Sequence, residues 1–151
     1  MAKLKIVTDE EKLRMKSKIV FAFDRRLSDL LDDMNETLTV AHGVGIAAVQ
    51  VGVLYRACVI CTKNGMLEII NPQVIEERDI KAGEEGCLSI PKAYGIVRRP
   101  RSITLRAQDR NGKMSTYTLE GAEAVCVSHE IDHMDGILFT DKIVIGEGGK
   151  K

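Results

Sequence analysis

The residues of this chain best suited to chemistry lie in His129-Glu130-Ile131-Asp132-His133. Side chains four apart on a helix share one face, so both imidazoles can reach one divalent ion. Glu130 then stands beside the ion's open coordination position, where it can accept a proton. The bland alternative is a pair of core histidines satisfied by hydrogen bonds. A catalytic ion usually keeps three protein ligands and one exchangeable water, so a third donor is needed. After His133 there is no further histidine, and the only acids are Asp135, Asp141 and Glu147. Upstream, Cys87 is the best candidate, in a Gly-to-Pro-bounded segment, Glu85-Gly86-Cys87-Leu88-Ser89-Ile90-Pro91, read as a loop that presents a thiolate. A lone cysteine is also often a small buried hydrophobe, and on the residues alone both readings stand.

The other motifs carry less. Cys58 and Cys61 have CxxC spacing, but they fall in a run that reads as a strand. Residues three apart there face opposite sides, and no second CxxC follows, so they are read as structural. Cys126 lies one turn before His129 and packs in the wall of any site built there. Gly43-Val44-Gly45-Ile46-Ala47-Ala48-Val49-Gln50 has neither dinucleotide-loop spacing nor a P-loop lysine. Its small residues allow another backbone to come close, as at a cleft edge that pairs with an extended peptide. A tight turn with a surface Gln50 fits the composition equally well.

The elements that must position these residues follow from periodicity. Leu27, Leu30, Leu31, Met34 and Leu38 predict an amphipathic helix over 23–42, stopped at Gly43. LYRACVIC at 54–61 and the MLEII run form a strand pair joined at Lys63-Asn64-Gly65. QVIEE at 73–77 extends the strand pattern up to a glycine-containing loop near 79–86. SITLRAQD at 102–109 and MSTYTLE pair through the Asn111-Gly112 turn. Ala122, Val125, Cys126, His129 and His133 predict a second helix from about Gly121 to Asp135, closed by Gly136. The expected fold is α+β, with antiparallel strands packed around a central helix that carries HExxH. One domain over 1–145 and a flexible Gly-rich tail at 146–151 are expected.

Composition narrows the partners. The 151 residues are 44% hydrophobic and 29% charged, the balance of a folded water-soluble domain, and the core must be aliphatic because aromatics are 4% with no Trp. Lys and Arg number 22 against 22 Asp and Glu, so no net positive field gathers nucleic acid or acidic lipid, and stacking platforms are scarce. No apolar run is long enough for a signal peptide or a membrane span. A cytoplasmic setting, with cysteines as thiols or metal ligands, is the expectation.

Taken together and in order, GVGIAAVQ, EGCLSIP and HEIDHMDG resemble the three signature motifs of the peptide deformylases, and the similarity extends from about Lys5 to Ile143. The resemblance implies a peptide deformylase-like α+β metallohydrolase that removes the formyl group from the N-terminal formylmethionine of new polypeptides. A metal-activated water attacks the formyl carbonyl while a glutamate acts as acid and base. It makes Cys87, His129 and His133 the metal ligands and Glu130 the catalytic acid/base. It assigns Gln50 and the Leu88 N–H to the oxyanion, and Gly45 to the substrate backbone. It implies one divalent ion, natively Fe2+, with Zn2+, Ni2+ or Co2+ able to take its place. N-formylmethionyl nascent chains are the implied substrates and the ribosome a candidate partner, with no specific nucleic acid sequence and no membrane.

Val44, Ile46, Val125 and Cys126 are the apolar neighbours of these motifs and are expected to wall a methionine-sized pocket. Asp132 needs a partner if buried, and Arg99 is the named candidate. Ser128 stands where the family usually has Gln. Two other classes remain in comparison: a deformylase-like peptide-binding protein with little or no activity, and a zinc peptidase. The second is opposed by the upstream cysteine and the missing downstream ligand.

Overall fold

The computed structural model describes residues 2–144, so the tail expected at 146–151 lies outside the described residues. Helices α1 (Glu10–Leu13), α2 (Arg25–Ala41) and α3 (Ala122–Met134) accompany strands β1 (Gly45–Ala47), β2 (Ala57–Thr62), β3 (Gly65–Cys87), β4 (Ile90–Gln108) and β5 (Met114–Glu120). The strands form one antiparallel sheet in chain order, so each is hydrogen-bonded to its sequence neighbour. Such a meander suits the short turn signals read between the strands.

Strand alternation divides the core in two. Ala57 and Val59 of β2 pack with Leu27, Leu31, Met34 and Leu38 of α2, whereas Cys58 and Ile60 join Ala124, Cys126, Val127 and Met134 of α3. Successive side chains of a strand point to opposite faces, so one apolar strand serves both helices. The CxxC pair follows the same rule: Cys58 lies in the α3 cluster and Cys61 packs against the α2 cluster. Helix α2 begins where the Asp24 side chain accepts from Leu27 N. It ends at His42, which itself takes the left-handed position (φ 56°), so the expected stop at Gly43 falls one residue early.

The expected loop near 79–86 is strand. β3 runs on to Cys87 and folds back through a two-residue turn, Leu88-Ser89, into β4, with register from Ile80 opposite Pro100 to Cys87 opposite Ile90. Asp79 takes a positive φ and irregularities flank Val74 and Glu85, which bend the ribbon without breaking its pairing. The segment reads as loop because in DIKAGEEG only Ile80 and Ala82 are apolar, among two glycines and four charged residues, too little to mark a strand. The hairpin brings Cys87 to α3, which also touches β1, β2 and β5.

Candidate metal centre and peptide cleft

α3 starts at Gly121, whose φ of 62° and ψ of −132° suit only glycine. His129, Glu130 and His133 follow on its inner face, all nearly buried. One donor atom each from Cys87, His129 and His133 lie within 4.8 Å of one another, and Cys87 Sγ is 3.3 Å from His133 Nε2. Ligands at ordinary metal distances from a tetrahedral ion sit about 3.5 Å apart, so the donor set fits one divalent ion with about an ångström of adjustment.

Glu85 orients the first histidine. His129 Nδ1 lies 3.0 Å from Glu85 Oε1, which leaves the other ring nitrogen for Cys87. Arg99 donates from Nε to Glu85 Oε2 at 2.8 Å and from Nη2 to Oε1 at 3.2 Å, and from Nη1 to Asp132 Oδ2 at 2.5 Å and Ser128 Oγ at 3.3 Å. Lys142 Nζ meets the same Asp132 oxygen at 2.9 Å. The Arg99–Asp132 contact read from the sequence is thus present, and Ser128 fills part of the same bracket. The sequence does not mark Glu85 as a partner, because its segment reads as loop. On a strand, residues 85 and 87 share a face, and that period was the available signal.

These charges set one another's protonation. Burial opposes the Glu85 carboxylate, yet His129 and Arg99 outweigh it and hold its pKa at about 2. Burial also opposes a charged His129, but its hydrogen bonds to Cys87 and Glu85 raise it to about 10, so the spot between them favours positive charge. Burial, with the charges of His129 and Arg99, lowers His133 to about 3 and keeps it a neutral donor. Burial lifts Glu130 to about 7 against the pull of His129 and Arg99. Glu130 Oε1 and His133 Nδ1 are buried and have no hydrogen-bond partner among the described residues. An orphaned carboxylate oxygen beside a thiol and two imidazoles is what a site for a cation and its water would leave.

A cleft of ≈ 720 Å³ opens beside this cluster, and Val44, Gly45, Gln50, Cys87, Leu88, Val125, Cys126, His129 and Glu130 line it. Ile46 does not: it is fully buried in the cluster beneath α2, because Gly45 and Ala47 face α3 and the strand period turns Ile46 the other way. Gln50 is not a surface residue. It is 1% exposed, its Oε1 accepts from Ala47 N at 2.9 Å, and its Nε2 faces Ser89 Oγ at 3.1 Å and Cys87 Sγ at 3.7 Å. Arg101 and Tyr94 also line the cleft, although neither belongs to a motif in the sequence.

Gly45 is confined by its neighbours. A Cβ there would sit 2.5 Å from Cys126 Sγ and 2.8 Å from Glu130 Oε2. Gly45→Ala is therefore expected to cost about 1–3 kcal/mol in urea unfolding. Adding Cys126→Ala should restore part of that loss, and equal instability of the single and double variants would refute the packing argument.

Fold and site together define a class: α+β proteins in which a helix-borne HExxH pair and a cysteine from a sheet hairpin meet beside a peptide-sized cleft. The family described as Polypeptide deformylase matches residues 3–147, and the chain belongs to that family. The chain is 49% identical to a peptide deformylase of Caldicellulosiruptor bescii, over 95% of this chain and 87% of that one. It is 50% identical to one of Acetivibrio thermocellus, over 89% and 79%. Its fold superposes on the peptide deformylase of Thermotoga maritima with a TM-score of 0.92, 34% identity and coverage of 96% and 100%. A Met-Ala-Ser-bound class I type b enzyme from Acinetobacter baumannii gives 0.88, 30%, 94% and 100%.

Proposed function

We propose that this chain is a peptide deformylase that releases formate from the N-terminal formylmethionine of new polypeptides. The observation that supports this best is the meeting of the Cys87, His129 and His133 donor atoms within 4.8 Å, next to the buried, unpartnered Glu130 carboxylate. In this reading those three residues hold the metal and α3 is the central support of the site. When bound, a divalent ion supplies the Lewis acidity that makes water nucleophilic at neutral pH and draws off charge from the carbonyl oxygen. A thiolate among the ligands favours a softer ion, and we take Fe2+ as the native metal, with Zn2+, Ni2+ or Co2+ as substitutes.

The chain's own groups do the rest. Glu130 takes the proton of the attacking water at its free Oε1 and hands it to the departing amine, which needs a carboxylate with a pKa near the working pH. The Leu88 N–H, in the hairpin turn, and Gln50 Nε2 donate to the formyl oxygen as it gains charge. Gln50 gives up only its long contact to sulfur in doing so, and one such donor is typically worth about 3 kcal/mol. Gly45 lets the substrate backbone run close to β1, and Val44, Val125 and Cys126 border the first side chain. Bound Met-Ala-Ser in the Acinetobacter baumannii relative supports a methionyl peptide in this cleft.

One catalytic unit over 1–145, working in the cytoplasm on chains met at the ribosome, completes the proposal. No helix among the described residues is long and apolar enough to cross a membrane. Protein purified without oxygen, stripped with chelator and reloaded with Fe2+ or Ni2+ should release formate from formyl-Met-Ala, whereas the stripped form should not. Absence of formate from reloaded protein, or cleavage of internal bonds in unformylated peptides, would overturn the reading.

A further inference from the structure

Arg101 is a charged side chain in the cleft wall that the mechanism above does not use. Its guanidinium is fixed: Nη1 donates to Arg99 O at 2.9 Å and Nη2 to Ala82 O at 3.3 Å. Both partners are neutral carbonyls, and among the described residues Arg101 makes no ion pair. Three of its five N–H groups remain for a ligand. Room for this posture comes from Gly83, where a Cβ would lie 2.7 Å from Nη2. Any other residue at 83 would push the guanidinium away.

Two rulers locate it. Arg101 O accepts from Gly121 N at 2.7 Å, at the start of α3, and eight residues of helix put that point about 12 Å from His129. The guanidinium folds back to Gly83, two residues before Glu85 on β3 and so about 7 Å from it along the strand. Val125 and Cys126 line the same cleft as Arg101, Cys87 and His129. An extended methionine side chain spans roughly 5 Å from Cα to its methyl, by standard bond lengths. One held with its formyl group at Glu130 would bring its tip toward the three free N–H groups.

We infer that Arg101 is a specificity-determining residue that reads the far end of the substrate's first side chain and favours a tip that accepts hydrogen bonds. This rests on the deformylase reading. A thioether is a weak acceptor and norleucine offers none, whereas the sulfoxide of oxidised methionine is a strong one. The chain is thereby suited to deformylate polypeptides whose first methionine has been oxidised.

The test compares kcat/KM for formyl-Met(sulfoxide)-Ala and formyl-norleucine-Ala in the metal-loaded wild type and in Arg101→Leu and Arg101→Lys. The ratio of the two substrates within each protein cancels any loss of folded enzyme. Arg101→Leu should lower the sulfoxide-to-norleucine ratio about tenfold or more, the effect of one charge-assisted hydrogen bond, with Arg101→Lys between it and wild type. An unchanged ratio overturns the inference. So does a loss confined to peptides carrying a later acidic residue, read from formyl-Met-Ala-Glu against formyl-Met-Ala-Gln, because Arg101 would then serve the chain downstream. Failure of the wild type to release formate from formyl-Met-Ala would instead condemn the deformylase reading itself.

Discussion

Glu130→Ala is expected to lower kcat/KM for formate release about 10²- to 10⁴-fold while the protein keeps its metal. The carboxylate is no ligand in the proposed set, and it stands beside the donors with Oε1 unpaired, so removing it takes away the proton carrier and leaves the donors intact. Formate assay and metal analysis on the same preparation check both halves. A parallel loss of metal would turn Glu130 into a ligand and sink its assigned role. Metal-free protein gives a second readout with a definite sign. Burial raises the folded pKa of Glu130 from 4.5 to about 7, so the protonated form is favoured in the native state. The stability this confers is fully present below about pH 4.5 and is lost as pH rises through about 7. Metal-free Glu130→Gln should therefore become more stable than metal-free wild type above that pH, by about 3 kcal/mol at most, in urea melts across the range.

Arg99→Leu should be the most destabilising single change in the site region. Arg99 is 1% exposed and holds Glu85 on one side and Asp132 on the other, so truncating it leaves two carboxylates without their main partner. Breaking a buried pair in this way costs about 3–5 kcal/mol. The second consequence is chemical. Glu85 without Arg99 no longer has a fixed place from which to orient His129, and loss of such an outer partner typically weakens metal binding about 10- to 100-fold. Asp132→Asn should cost less, since Lys142 and Ser128 remain near. A double-mutant cycle between positions 99 and 132 should show a coupling above about 1 kcal/mol, and additive losses would mean that the contact does not hold the helix to the hairpin.

Much of this site can be read from single residues because its chemistry is local. His129 and His133 are one helical turn apart, and helix period alone puts them side by side. Cys58 and Cys61 were separated by strand period with equal ease, and the sheet divides them as expected. Ile46 fails for the same reason inverted. Proximity to a motif in sequence says nothing of direction in a strand, and the alternation that brings Gly45 to the cleft sends Ile46 beneath α2. The polar ribbon at 79–86 was illegible because its strand character comes from its pairing partner at 95–102 rather than from its own pattern. With that ribbon went Glu85, whose link to His129 depends on a face that a loop does not have. Arg101 was hidden more deeply still, since its posture depends on an absent side chain at Gly83.

The hairpin that carries Cys87 also fixes when the site can exist. Cys87 and His133 are 46 residues apart, and no local segment contains the whole donor set. Two imidazoles on an isolated helix make at best a weak clamp, so strong metal capture must wait until the β3–β4 ribbon has closed onto α3. In a chain emerging from its amino end, that moment comes only after His133 has been made. Metal loading is thus coupled to global folding: whatever loosens the sheet should release the ion, and the ion in turn holds together parts of the chain that meet last.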